Sequence, residues 1–472
     1  MKVSTELTPD RQPIVTVEVD EDQMQRALTR AAQHASRIRP IPGFRPGKAP
    51  YNLVERALGK ELLVEEAIDD LSRSLYRQVL EQGDLDPIEA GRLEVVQKEP
   101  PILKYTIPVK PEVKLGDYQS IHLTPAEIQI SDEEVNQVLE RFQLNQATVT
   151  PVERAIQKGD RVTLDVKGGV PDRAPVEETN VRVAIGDPKQ PGFPFDDQLI
   201  GMNAGDTKEI TYTYPDDYGD EDFRGKTANY TVTIHDIKET QLPELNDEFA
   251  KAISQFETLD QFKGNVREIL RRQKERDAEA EFADQVIDAV VEKSEIAFPP
   301  VMLGQEIDHQ LEHTKEDVKQ LGLTWEKYLE LSGKTEEQLR EDARPRAERQ
   351  LKQLLVITQL MDAEKIKVSR EDVDAEIERR VKLTEESGGN PNVARRSYTT
   401  RDARRNLEFN LRMNKTINKV VAMAKGEPVS GKILTPSMLK DTEKSPIPTG
   451  LITDPNQVRE SEWPKGLEKK AS

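Results

Sequence analysis

A basic stretch near the N-terminus has the residue types of a binding site for an anionic surface. From Met24 to Val54 the chain contains no Asp or Glu, although its net charge is -19. The stretch contains Arg26, Arg30, Arg37, Arg39, Arg45 and Lys48. Guanidinium and ammonium groups bind phosphates or carboxylates, whereas many charge runs form only a solvated turn. These residues alone leave both interpretations open.

The middle of this stretch reads Gly43-Phe44-Arg45-Pro46-Gly47-Lys48-Ala49-Pro50. Its prolines and glycines cannot continue a helix, which predicts a loop. Phe44 offers an apolar anchor, and Gly43 and Gly47 allow the backbone to approach a partner closely. The segment is therefore a candidate contact loop.

A second group of residues could form an aromatic pocket. Seven of the 21 Phe and Tyr residues lie within positions 193–230: Phe193, Phe195, Tyr212, Tyr214, Tyr218, Phe223 and Tyr230. Isomerisation of an X-Pro bond crosses a barrier of about 18–20 kcal/mol, and catalysis needs no nucleophile. Aromatic walls that desolvate the prolyl ring and prefer the twisted amide would suffice. Phe195, Tyr218 and Tyr230 suit such walls, and the alternative is that they form ordinary domain core.

Two further patterns suggest metal and nucleotide chemistry. His309-Gln310-Leu311-Glu312-His313 fits the H-x-x-E-H pattern of zinc peptidases, with both imidazoles on one helix face. It lies on a charged amphipathic rod without an evident closed pocket, so we predict no metal site. The stretch Gly219 to Thr227 has five residues between its glycines where a phosphate-binding loop needs four. We therefore predict no ATP hydrolysis.

Composition limits the class of protein that positions these residues. At 472 residues, with 33% charged and 35% hydrophobic residues, the chain predicts several domains with apolar residues confined to stripes or one compact core. It has no cysteine, which excludes disulfides. The N-terminus lacks the apolar run of a signal peptide, and no stretch reaches the roughly 20 apolar residues of a membrane span. We therefore expect a soluble cytoplasmic protein with no membrane partner.

Residues 1–113 have the pattern of an α+β domain. A strand is predicted from Ile14 to Val19, helices from Glu21 to Ser36 and from Tyr51 to about Gln82, and returning strands at Leu93–Val96 and Ile102–Val109. The basic loop then lies between two helices. Residues 114–150 are predicted as a linker and helical arm, because Ser131-Asp132-Glu133-Glu134 is a capping box.

Residues 151–243 are predicted to form a β-rich domain. Apolar alternation predicts strands at Arg161–Val166, Val181–Ile185, Lys208–Tyr214 and Ala228–Ile234. Residues 244–426 are predicted to be helical, with capping signals at Thr258, Thr335 and Ser369 and a helix start at Pro299-Pro300. Residues 427–472 are rich in proline without periodicity, which predicts a disordered tail.

The pattern Gly43-Phe44-Arg45-x-Gly47-Lys48-x-Pro50 resembles the ribosome-docking signature of bacterial trigger factors at every motif position. The order of parts over residues 1–425 is also similar to that family. The resemblance implies that the loop contacts a large-subunit ribosomal protein and rRNA at the tunnel exit. It assigns ribosome binding to Gly43, Phe44, Arg45, Gly47, Lys48 and Pro50. Arg37 and Arg39 extend this set on electrostatic grounds.

Residues 191–202 resemble the stretch of FKBP-type prolyl isomerases that supplies the pocket floor. The resemblance implies that Phe195 is the floor, with Phe193 beside it, and that Tyr218 and Tyr230 are walls. Val166 stands where these enzymes usually carry an aromatic residue, and Lys167 replaces their threonine. The expected activity is therefore prolyl isomerisation, and the alternative is a domain that only binds peptide.

The resemblance and the element pattern together predict a multidomain α+β protein. Its parts are an N-terminal α+β docking domain, an FKBP-like β-rich domain and an elongated all-α C-terminal domain split around it. The expected function is that of an ATP-independent chaperone for nascent polypeptides on the ribosome large subunit, without a cofactor. A weak homodimer off the ribosome is compatible with the resemblance. A metallopeptidase built on His309 and His313 and a general RNA-binding module are the rival classes.

Four methionines of the helical region, Met302, Met361, Met413 and Met423, allow two interpretations. Their flexible thioether side chains suit adaptable contacts with many unfolded clients. The alternative is that each packs one helix on another.

Overall fold

A computed structural model of the protein describes residues 2–170, 176–186, 193–218 and 223–428. The chain forms two compact units, one from Met1–Ala126 with Asp277–Ser472 and one from Glu127–Arg276. The predicted tail lies outside the described residues from position 429 onward, as do Pro191, Gly192 and the first four residues of the stretch Gly219 to Thr227.

The N-terminal part of the larger unit is an antiparallel sheet covered by helices. Its elements are β1 (Lys2–Glu6), β2 (Ile14–Glu18), α1 (Glu21–Ile38), α2 (Tyr51–Leu58), α3 (Lys60–Gly83), β3 (Arg92–Lys98), β4 (Pro101–Thr106) and β5 (Glu112–Lys114). Strands β1 to β4 form a four-stranded sheet in the order β1-β2-β4-β3. Alternation along β2 buries Val15 and Val17 against the helices, as period-2 patterning requires.

The predicted helix from Tyr51 to Gln82 is in fact two helices. Gly59 separates α2 from α3 and has a φ of 92°, a backbone conformation that residues with a Cβ rarely adopt. The apolar periodicity continues across the break, so periodicity alone did not reveal it. Four short strands were also not predicted from the sequence: β1, β5, β6 (Thr148–Pro151) and β11 (Glu295–Ala297). Each has only three to five residues, which carry little alternation.

The second unit is built around a β-rich core. Its elements are α4 (Asp132–Asn145), β6 (Thr148–Pro151), β7 (Arg161–Gly169), β8 (Val176–Ala184), β9 (Thr207–Thr213), β10 (Thr227–Gln241), α5 (Asp247–Ile253) and the first half of α6 (Leu259–Lys293). The sheet order is β6-β10-β7-β8, and β9 also pairs with β10. All these pairs are antiparallel.

The helical arm predicted from the capping box begins where expected. The Ser131 hydroxyl accepts from the Glu134 backbone N–H at 3.2 Å, and the Glu134 carboxylate accepts from the Ser131 N–H at 3.0 Å. The buried face of α4, at Val135 and Leu139, packs with Phe262 and Val266 of α6. This arm therefore has a small apolar core of its own.

The elements that follow α6, within the described residues, are helices apart from β11 (Glu295–Ala297), which pairs with β5. The helices are α7 (Pro300–Gln320), α8 (Trp325–Ser332), α9 (Glu336–Ala363), α10 (Arg370–Glu386), α11 (Pro391–Tyr398) and α12 (Arg401–Lys425). The capping boxes at Thr335 and Ser369 are confirmed. At Thr258 the Gln261 backbone N–H donates to the threonine hydroxyl, but the Gln261 side-chain oxygen accepts from the Glu257 N–H instead of the Thr258 N–H.

The burial of the four methionines distinguishes client contact from packing between helices. Met302, Met361 and Met413 are at most 3% exposed and pack between helices. Only Met423 is partly exposed. The packing interpretation is therefore right for three of the four, and the contact hypothesis is wrong for them.

The segment predicted as a linker is packed along part of its length. Ile121 is buried in the helical core beside Phe282 and Val286, and the Leu123 N–H donates to the Ala424 carbonyl at 3.2 Å. The predicted fold class is confirmed: a mixed α and β N-terminal region, a β-rich middle region and a helical C-terminal region. None of the helices in the described ranges combines the length and apolarity of a membrane crossing.

Candidate functional site

The basic loop connects α1 to α2, as predicted, but it is shorter than the sequence suggested. Helix α1 continues to Ile38, so Arg37 lies on its last turn and Arg39 follows directly. The Arg39 N–H donates to the Ala35 carbonyl at 2.8 Å. Arg37 and Arg39 are therefore held by the helix end, whereas Arg45 and Lys48 lie on the loop.

Two consecutive turns shape the loop. The Phe44 N–H donates to the Ile41 carbonyl at 3.1 Å, and the Lys48 N–H donates to the Arg45 carbonyl at 2.9 Å. Gly43 and Gly47 have φ values of +87° and +75°. Other residue types would be strained there, which explains why both turns use glycine.

The base of the loop is fixed to the domain core at Gly47 and Ala49. The Gly47 N–H donates to the Ser36 carbonyl at 3.3 Å, and a Cβ at Gly47 would lie 2.7 Å from the Arg37 Cγ. Ala49 is buried in the N-terminal core at 7% exposure. Pro50 then precedes α2, and its carbonyl accepts from Leu53 and Val54. A fixed base limits the conformations of the exposed side chains.

The exposed surface of the loop combines apolar and cationic groups. Phe44 is 40% exposed and Ile38 is 67% exposed, both high values for large apolar side chains. Among the described residues, no carboxylate lies within salt-bridge distance of these exposed cations: Arg37, Arg39, Arg45 and Lys48. The loop can therefore offer all four charges to an anionic partner.

One further arginine of the acid-free stretch, Arg30, is paired with a neighbouring helix. Arg30 pairs with Asp70 of α3 at 2.9 Å, and His34 contacts Glu66 of α3. The sequence placed these acids more than 30 positions away, so the stretch appeared more uniformly basic than it is. Among the described residues, Arg37, Arg39, Arg45 and Lys48 keep unpaired charges at the loop end of α1, and Arg26 keeps one near its start.

The predicted isomerase residues meet in one aromatic cluster of the second unit, defined here as Phe193, Phe195, Tyr214, Tyr218, Phe223 and Tyr230. Phe193 stacks on Phe195 with ring centroids 5.2 Å apart, and Phe195 lies 4.8 Å from Tyr230. Tyr218 does not touch these rings directly but joins them through Tyr214, whose ring lies 4.7 Å away. The four predicted residues therefore lie in two groups of rings, which the hydrogen bond between the Tyr214 and Tyr230 hydroxyls connects.

Tyr214 is the residue that sequence reasoning missed. Its hydroxyl lies 2.7 Å from the Tyr230 hydroxyl, and both residues are 6% exposed. Burial raises the pKa of Tyr214, and its hydrogen bond with Tyr230 raises this pKa further. The available signal was alternation, since Tyr214 follows buried Ile210 at an even spacing.

Asp196 orients the start of the aromatic cluster. Its carboxylate accepts from the Phe193 N–H at 2.7 Å, and its own N–H donates to the Phe193 carbonyl at 3.1 Å. The side chain is nearly buried, at 8% residue exposure. These two bonds hold Phe193 over Phe195, and sequence reasoning assigned Asp196 no role.

The substitutions noted at Val166 and Lys167 lie on opposite faces of β7. Val166 is fully buried in the core, and the Lys167 ammonium pairs with Glu177 of β8 at 3.1 Å in solvent. Lys167 therefore points away from the buried face that Val166 shares with the aromatic core. The aromatic cluster can exclude water around an apolar ring, but it presents no nucleophile.

The two histidines of the H-x-x-E-H pattern do approach each other on α7. Their Nε2 atoms are 3.1 Å apart and their rings meet edge to face. In the part of the chain that the structure describes, no three histidine, aspartate or glutamate side chains are grouped to share a metal ion. The prediction of no metal site stays a prediction.

Comparison with known proteins assigns a family model to each of the three regions. Residues 1–142 match the model described as bacterial trigger factor protein, and residues 258–422 match the model of its C-terminus. Residues 152–235 match the FKBP-type peptidyl-prolyl cis-trans isomerase model. The aromatic cluster lies within this last match.

Whole-chain relatives cover most of the sequence. A trigger factor of Caldicellulosiruptor bescii is 35% identical over 390 residues, which are 81% of this chain and 88% of the relative. Trigger factor of Pelotomaculum thermopropionicum is 33% identical over 434 residues, 90% of this chain and 98% of the relative. Trigger factor of Halalkalibacterium halodurans is 32% identical and covers 87% of this chain and 96% of its own.

Proposed function

Because this chain belongs to the trigger factor family, we propose that it is an ATP-independent chaperone that binds nascent polypeptides at the ribosomal tunnel exit. The basic loop would contact a large-subunit protein and rRNA, and the FKBP-type domain would isomerise X-Pro bonds in the bound chain. The helical region would shelter unfolded segments, in the cytoplasm and without a cofactor.

The observation that carries the docking part is the set of exposed, unpaired cations around Phe44. Counter-ion release from RNA phosphates favours binding of such cations, and the aromatic ring adds apolar contact. The bond from the Gly47 N–H to the Ser36 carbonyl restrains the loop base, which reduces the conformational entropy lost on binding. These features support a preformed contact site for the ribosome.

Ribosome co-sedimentation tests this proposal. Replacing Phe44, Arg45 and Lys48 together by alanine should reduce pelleting with ribosomes at least tenfold at physiological salt, because two charges and the apolar anchor are lost. Arg30→Ala is the matched control, since Arg30 lies on α1 but is paired with Asp70. Equal pelleting of wild type and triple variant would refute the docking assignment.

The isomerase part is supported by the FKBP-type domain and its aromatic cluster. A water-excluding aromatic site that binds the twisted amide more tightly than the planar one lowers the rotation barrier. Phe195 is only 1% exposed, beneath Phe193. This cover favours the second candidate, a domain that binds peptide without isomerising it.

A prolyl-peptide isomerisation assay on the full chain separates the two candidates. Tyr218→Ala should lower kcat/KM at least fivefold, because Tyr218 is a half-buried wall residue whose loss leaves the core intact. Phe195→Ala is less informative, since truncating a buried phenylalanine costs about 3–5 kcal/mol of stability. Peptide binding without a rate above the uncatalysed reaction would establish the binding-only function.

A further inference from the structure

Within the described residues, the Tyr214 and Tyr230 hydroxyls have one O–H donor without an acceptor. Two phenol groups contribute two O–H donors, and one of them is used in the 2.7 Å bond between the oxygens. Among the described residues, no other group bonds to either hydroxyl. Both side chains are nine-tenths buried, so an unsatisfied donor there is costly.

The direction of the bond follows from the surroundings of the two rings. Tyr214 is enclosed by other aromatic rings, including Tyr218 at 4.7 Å and Phe223 at 5.0 Å. The 2.7 Å distance allows either phenol to donate. Because the structure shows no other acceptor for the Tyr214 O–H among the described residues, we assign Tyr214 as the donor, which leaves the Tyr230 O–H to donate elsewhere. Tyr230 is also the ring next to Phe195, the predicted floor.

We propose that Tyr214 is a positioning residue that orients the Tyr230 hydroxyl to donate to the carbonyl of the prolyl residue in a bound X-Pro peptide. This inference rests on the proposed peptide-binding function of the domain. The carbonyl of the X-Pro bond itself is a poor acceptor for catalysis, because donation to it would strengthen the amide resonance that rotation must break. The carbonyl after the proline does not rotate with that bond.

The proposal predicts an effect on binding rather than on turnover. A hydrogen bond that is equal in the planar and twisted states lowers KM and leaves kcat unchanged. Removing one such bond weakens binding about three- to tenfold. Tyr214→Phe should therefore raise KM and the Kd of a blocked Xaa-Pro amide by this factor, with kcat within about twofold of wild type.

A second ligand separates positioning from packing. The matching Xaa-pyrrolidine amide keeps the five-membered ring but lacks the prolyl carbonyl, so its Kd should be the same for wild type and Tyr214→Phe in the full chain. The double variant Tyr214→Phe/Tyr230→Phe should bind the prolyl amide no more weakly than Tyr230→Phe alone, because both act through one bond. Tyr212→Phe is the control, because its ring touches Tyr214 but its hydroxyl makes no bond within the described residues.

Each outcome decides the matter. Equal weakening of both ligands by Tyr214→Phe would reduce its role to packing and overturn the proposal, as would unchanged binding of the prolyl amide. Failure of the wild-type chain to bind either ligand would overturn the proposed function of the domain itself. Binding by wild type with selective loss in Tyr214→Phe would support the inference, whether or not the wild type also accelerates isomerisation.

Discussion

At the scale of single residues, the two glycines of the basic loop have different structural constraints. Both have positive φ, but a Cβ at Gly43 meets nothing within 4 Å, whereas at Gly47 it meets the Arg37 side chain at 2.7 Å. At Gly43 only the left-handed backbone conformation favours glycine. Gly47 requires that conformation and the close approach of the loop to α1.

Gly47→Ala should therefore be more damaging than Gly43→Ala. The left-handed backbone alone costs about 1–2 kcal/mol for alanine, and at Gly47 displacement of Arg37 adds to it. We expect Gly47→Ala to lower the unfolding midpoint in urea and to weaken ribosome co-sedimentation, although it removes no charge. Gly43→Ala should show only the backbone cost. Identical stability and binding in the two variants would contradict this account of the loop base.

At the scale of elements, one buried ion pair fastens the segment before β7 to strand β10. Asp160 accepts from both Arg154 terminal nitrogens, at 2.7 and 3.0 Å, and from the Gln157 N–H at 2.8 Å. Arg154 also pairs with Glu239 of β10 at 3.0 Å. Burial raises the pKa of Asp160, but the bonds from Arg154 and Gln157 outweigh it and hold this pKa below its ordinary value.

The sign of the pH dependence follows from that lowered pKa. The ionised Asp160 stabilises the fold above the ordinary aspartate pKa near 4, and this contribution is lost as the pH falls through the lower folded-state pKa. Asp160→Asn should cost about 2–3 kcal/mol of unfolding free energy at pH 7 and much less near pH 2. Urea unfolding of the two proteins at both pH values checks this. A loss of equal size at both would assign the effect to geometry instead of charge.

The sequence could indicate which elements exist more reliably than where they end. The capping box at Ser131 was sufficient to predict the start of α4, and alternation was sufficient to predict β2, because both signals are local. The break at Gly59 was not predicted, since glycine inside an apolar period is compatible with a helix or a turn. The short strands β5 and β11 exist only because they pair with each other, across more than 180 positions.

At the scale of the whole molecule, the charge distribution sets how the chain approaches an anionic partner. The net charge of -19 repels RNA, so the loop cations must provide a local attraction strong enough to overcome it. The pairing of Arg30 with Asp70 of α3 leaves four of the stretch's unpaired cations, within the described residues, at the loop end of α1. The attraction is therefore short-ranged and sensitive to screening.

Ribosome affinity should accordingly fall as salt rises. Each phosphate contact contributes about 0.7–0.9 to the slope of log affinity against log salt. Arg45→Ala and Lys48→Ala should each flatten this slope by about that amount, as measured by co-sedimentation between low and physiological salt. Phe44→Ala should lower affinity without changing the slope, which makes it the uncharged comparison. A slope unaffected by the charge variants would show that phosphates are not their partners.

The sequence by itself determined the family, the order of the three regions and the position of the basic loop between two helices, because these depend on short motifs and local periodicity. Phe195, Tyr218 and Tyr230 were also predicted from local pattern. The tertiary structure alone decided that Tyr214 joins these rings, that Phe195 lies buried beneath Phe193, and which basic residues keep an unpaired charge. Those properties arise from contacts between residues distant in the chain, and a linear pattern does not specify which distant groups meet.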